Sequence, residues 1–74
     1  MLPIQEIDAL SHAVTEALDR AARGYPADGY EMLLAGMHRA QELFEAGLDG
    51  SDALVDYWRA ALEGYAERFH IGRA

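Results

Sequence analysis

Cysteine, lysine and asparagine are all missing from this 74-residue chain. Without cysteine there can be no disulfide and no thiolate zinc site, two of the usual supports of a domain this small. Without lysine, all six bases are arginines, set against thirteen acids for a net charge of −7. Binding to nucleic acid phosphates needs clustered bases. The densest grouping here is Arg20 with Arg23, so nucleic acid is excluded as a direct partner. No apolar run approaches the ~20 residues of a membrane span, so a membrane is excluded as well. The first residues, Met1 to Glu6, have neither the basic region nor the apolar stretch of a secretion signal. A cytoplasmic protein is the expectation.

A chain of this length buries only ~60% of the surface it exposes when unfolded. With no covalent or metal staple, stability must come from close helix packing or from association with another chain. The sequence reads as one small helical domain over residues 1–74.

What is present is helical periodicity. Ile4, Ile7, Leu10, Val14, Ala17, Leu18 and Ala21 recur at three- and four-residue intervals. Gly24 and Pro26 then give a stop signal, which places a helix at about 4–23, with Pro3 suited to its first turn. Asp28 with Glu31 resembles a capping box. It opens a second helix at about 28–46, carrying Tyr30, Leu33, Leu34, Met37, Ala40 and Phe44 and ending at Gly47. Ser51 as N-cap and Asp52 in the first turn open a third at about 51–70, carrying Leu54, Val55, Trp58, Leu62, Tyr65 and Phe69 and ending near Gly72. Gly29 and Gly50 also read as punctuation of helix ends. No stretch alternates with the period of a strand. Three similar helices on short loops predict an all-α, antiparallel three-helix bundle, with Trp58, Tyr65, Phe44 and Phe69 on its core faces.

The helical wheels are unequal. At ~100° per residue, the large apolar residues span ~100° on the first helix and ~180° on the third, while apolar or small residues cover ~220° of the second. On the second, Met32, Gly36 and Leu43 lie outside the stripe centred on Leu33, Met37 and Phe44. On the third, Ala53, Tyr57, Ala60 and Gly64 form a smooth uncharged strip. Gly36 and Gly64 each cost ~1 kcal/mol relative to Ala inside a helix, which a close backbone approach would offset, within the chain or between two chains. Met32, Gly36, Leu43, Tyr57, Ala60 and Gly64 are therefore the candidate interaction surface. The expected function is a small soluble protein–protein interaction module, a homodimer or the partner of another protein.

Signals for chemistry are sparse. His12 lies between Asp8 and Glu16 at four-residue spacing, His38 precedes Glu42 by four, and Glu67 precedes His70 by three. The last is the Glu-x-x-His spacing of carboxylate-bridged metal sites in helical bundles. The alternative function is accordingly a metal- or small-ligand-binding protein whose site is completed at an oligomer interface. Two ligands on one outward face do not make a site, so these histidines are read as solvated and no cofactor or metal is expected. Glu45 to Asp56 has the length of a calcium loop, but Gly47, Ala53 and Asp56 stand where oxygen ligands and a bidentate Glu belong. An acidic helical chain also invites comparison with acyl carrier proteins. However, Ser51 stands in Gly-Ser-Asp, not in the Asp-Ser-Leu that carries their prosthetic group. No nucleophile has a base at a recognisable spacing, so the chain is not expected to be an enzyme. A third class, an acidic decoy for a nucleic-acid-binding surface, would need one continuous acidic face.

Overall fold

The computed structural model describes residues 4–71. It contains three helices, α1 (Ile4–Ala22), α2 (Pro26–Glu45) and α3 (Ser51–Phe69), and no strand among the described residues. The architecture is a three-helix bundle with successive helices antiparallel. Glu6, early in α1, meets Arg39, late in α2, at 3.1 Å, while Ala17, late in α1, faces Gly29, early in α2.

The helix ends show which local signals prevailed. α1 and α2 both stop in the Schellman pattern. Gly24 (φ 96°) and Gly47 (φ 83°) take the left-handed position. Tyr25 N–H donates back to Arg20 O at 2.8 Å, and Leu48 N–H to Leu43 O at 3.1 Å. α2 begins two residues before the expected Asp28. Pro26 occupies its first turn, Tyr25 is the N-cap without a side-chain cap bond, and Asp28 is the acid of that turn. The proline ring presets a helical φ, and its missing N–H costs nothing there. At α3 the N-cap is Gly50, not Ser51. Ser51 is the first helical residue and is buried, its hydroxyl donating to Leu48 O at 2.5 Å. α3 ends at His70, left-handed at φ 56°, where Ile71 N–H donates to Ala66 O at 2.9 Å. The expected end at Gly72 and the role of Pro3 lie outside the described residues.

The bundle is not a closed triangle. α1 and α3 each pack along α2 but touch each other far less, and the molecule measures 36 × 25 × 14 Å. Three axes ~8–10 Å apart in a closed triangle would give similar width and thickness. This explains the unequal wheels, because α2 is central and spends its wide apolar arc on neighbours at both flanks.

The core is Ala17, Leu33, Ala40, Leu54, Trp58, Leu62 and Tyr65. Phe69 packs against its edge, with its ring centroid 4.6 Å from that of Tyr65. Phe44 departs from expectation, being 54% exposed. It points in a core direction along the wheel, but it stands in the last turn of α2, where no described part of α1 remains to cover it. Gly29 also departs, since it is buried inside α2 and does not mark a helix end. A Cβ there would run into the Tyr65 hydroxyl and lie 2.7 Å from Ala17 O. The absence of a side chain therefore sets how closely α1 and α2 approach.

Tyr65 joins all three helices. Its single hydroxyl proton is shared between Pro26 O at 2.7 Å and Ala17 O at 3.2 Å, the former being the closer acceptor. Burial, assisted by the Asp28 carboxylate, pushes its phenol above the ordinary value of 10.0. As pH rises, the unfolded chain therefore loses this proton first. The contribution is fully present below pH ~10 and is lost as pH climbs through the folded-state value. Urea midpoints should fall more between pH 8 and pH 10.5 for the wild type than for Tyr65→Phe. The variant itself should lose about 1–2 kcal/mol at pH 8 from the missing hydrogen bonds. Equal alkaline losses in the two proteins would show that Tyr65 is not the group involved.

Candidate interaction surface

Because α1 and α3 diverge from each other, the bundle has an open face between them. A shallow groove of about 230 Å³ runs there, with Val14 and Leu18 of α1 on one wall, Ala60, Ala61 and Gly64 of α3 on the other, and Leu33 of α2 in the floor. Helical spacing extends both walls. On α1 the stripe continues through Ile7 and Ile4, which are 41% and 73% exposed. On α3 it continues through Tyr57, 52% exposed, to Ala53. The result is a ridge of branched aliphatics, interrupted at Ser11, beside a strip of Ala and Gly that also carries Tyr57, with no acid in either wall. Arg68 lies at one end of the groove, its guanidinium 5.4 Å from the Phe69 ring centroid.

The six residues singled out from the sequence separate into two groups. Tyr57, Ala60 and Gly64 share the exposed α3 wall. Gly64 is open, with nothing within 4 Å of where a Cβ would be. Met32, Gly36 and Leu43 do not join them. At Gly36 a Cβ would run into the six-membered ring of Trp58, so this glycine serves packing within the chain. Leu43 packs against the core, and Met32 is half-buried. The two glycines, indistinguishable in sequence, therefore respond oppositely to a methyl group. Gly64→Ala should raise stability by about 0.5–1 kcal/mol through helix propensity alone. A thermal melt that showed a decrease would mean that this wall is already occupied.

Sequence reasoning missed the α1 half of the groove. Ile4, Ile7 and Leu18 read as core on a narrow stripe, and their exposure follows only from the splay of α1 and α3. Two other clefts are ringed by charge. One, of about 520 Å³, lies between α2 and α3 around Phe44 and Val55, with Glu45, Asp52, Asp56 and Arg59 at its edge. The other, around Arg20, Arg23 and Asp28, connects α1 with the start of α2.

The histidines stand apart. His12 is 3.9 Å from Glu16 with its side chain 79% exposed, and His38 is exposed. His70 lies past the end of α3 in left-handed conformation, which breaks the helical register on which the Glu67–His70 spacing depended. Among the described residues no three histidine or carboxylate groups gather to hold a metal ion. In the Glu45–Asp56 segment, residues 46–50 are a helix cap and a turn with Gly47 and Gly50 both left-handed, and Ser51 to Asp56 already belong to α3. No described helix is long and apolar enough to cross a membrane. Neither a known protein family, nor a curated protein, nor a solved structure matches this chain.

Proposed function

We propose that this chain is a protein–protein interaction module that binds through the face between α1 and α3. The observation that carries this reading is the paired apolar stripe: Ile4, Ile7 and Tyr57 are between 41% and 73% exposed along walls that contain no acid. Large exposed apolar patches, especially ones rimmed by polar residues, mark interaction sites. A ridge beside a furrow of Ala and Gly suits a helix, because small residues let a second backbone approach closely. The strip on α3 keeps Gly64 where Ala would strengthen the helix, which has a physical reason if a partner backbone lies there.

The test is site-specific photocrosslinking in cells. A benzophenone side chain replaces Ala60 on the proposed face in one variant and Glu42, on the solvent stripe of α2, in another. Position 60 should give a discrete crosslinked protein species and position 42 none. Equal patterns from both positions, or none from position 60, would contradict the reading.

A further inference from the structure

The charges bordering this face indicate what lies in it, an inference that rests on the binding role just proposed. The outer rim of α1 beside the stripe carries Asp8, and the outer rim of α3 carries Glu63 and Glu67. All three are exposed, and none has an ion-pair partner among the described residues. Asp19 and Asp56, on the same rims, are bridged by Arg23 and Arg59 along their own helices at 3.1 and 3.8 Å. The groove thus has an apolar floor between an α3 rim with two unpaired acids and an α1 rim with one, and Arg68 lines one end of it.

We propose that the occupant is a basic amphipathic helix, with its apolar stripe against Val14, Leu18, Ala60 and Gly64 and its flanking Lys or Arg side chains over Asp8, Glu63 and Glu67. Charge complementarity of this kind steers encounter and rejects partners of the wrong sign. It also argues against a second copy of the chain. A two-fold contact through this face would bring two acidic rims together in molecules that each carry a net charge of −7. The walls are long enough for such a guest: α1 and α3 each have 19 residues, so an 18-residue helix of ~27 Å matches them.

The experiment is a display selection on the intact chain. The library consists of 18-residue helical peptides with Leu or Ile at the buried positions and Lys or Glu randomised at the flanking ones. Lysine should exceed glutamate at least fivefold at the flanking positions of the binders. The affinity of a selected peptide should fall at least tenfold between 50 and 300 mM NaCl. Glu63→Lys combined with Glu67→Lys should weaken it at least tenfold with an unchanged far-UV circular dichroism spectrum, since both residues are exposed. Binders without charge preference, or with glutamate at the flanks, would overturn the basic occupant and leave the binding face intact. Sedimentation equilibrium showing a dimer that Ala60→Glu dissociates would assign the face to a second copy and overturn the proposal in another way. A library without binders, together with no crosslink from position 60, would remove the binding role itself.

Discussion

Trp58→Ala is expected to cost about 3–5 kcal/mol, the range for deleting a large aromatic from a core. A chain of this length has a total stability on the order of 4–11 kcal/mol, so the variant should be largely unfolded at physiological temperature. The reason is positional. Trp58 is only 4% exposed and reaches from α3 to Gly36 on α2, so its loss opens a cavity where α3 packs on α2. The pair Gly36 and Trp58 should also be coupled. Gly36→Ala is expected to cost about 1–3 kcal/mol alone by overpacking. In the Trp58→Ala background it should be neutral or favourable, because the vacated ring volume accepts the methyl. A double-mutant cycle in urea measures this. Additive losses would mean that the two residues do not share that space.

Gly29→Ala is the second large effect, with an expected loss of about 2–4 kcal/mol despite a helix-propensity gain of ~1 kcal/mol. The added methyl would meet the Tyr65 hydroxyl, Ala17 O at 2.7 Å and Ala17 Cα at 3.0 Å. Two of these three atoms are backbone, so no side-chain rotation relieves the clash. α1 must move away from α2, and the hydrogen bonds of Tyr65 to Ala17 and Pro26 stretch with it. At ~4–8 °C per kcal/mol for a domain of 60–100 residues, the melting temperature should fall by about 10–30 °C. A change below 3 °C would show that the approach of α1 to α2 is looser than described. Gly64→Ala is the matched control, the same substitution on an open face with the opposite expected sign.

The contrast among glycines shows how far the sequence could be read. The helices were legible because their apolar residues repeat at helical spacing and their ends carry Gly or Pro, and the observed bounds lie within about two residues of those expected. Trp58, Leu54, Leu62 and Leu33 were legible as core for the same reason. Gly29 was not, because Asp28-Gly29 has the composition of a turn and only the position of Ala17 on another helix reveals a packing role. Phe44 has the right angle on the wheel but the wrong height, and height relative to a neighbouring helix is not written in a period. Ser51 was expected to accept a hydrogen bond as N-cap and instead donates one, because Gly50 takes the cap in left-handed conformation. The candidate surface was half legible. The α3 strip of Tyr57, Ala60 and Gly64 was found from its lack of charge. Its α1 counterpart looked like core because a wheel assumes that neighbouring helices close over it.

The binding role rests on the face between α1 and α3 being surplus to folding. Urea unfolding of the double variant Ile4→Ser, Tyr57→Ser tests it most directly. Ser, Ile and Tyr have similar helix propensities, and the two residues are 73% and 52% exposed, so little other than surface apolarity changes. The expected loss is below about 1 kcal/mol with an unchanged m-value, as for ordinary surface substitutions. A loss above about 3 kcal/mol would contradict it, because these side chains would then belong to the core of the chain itself.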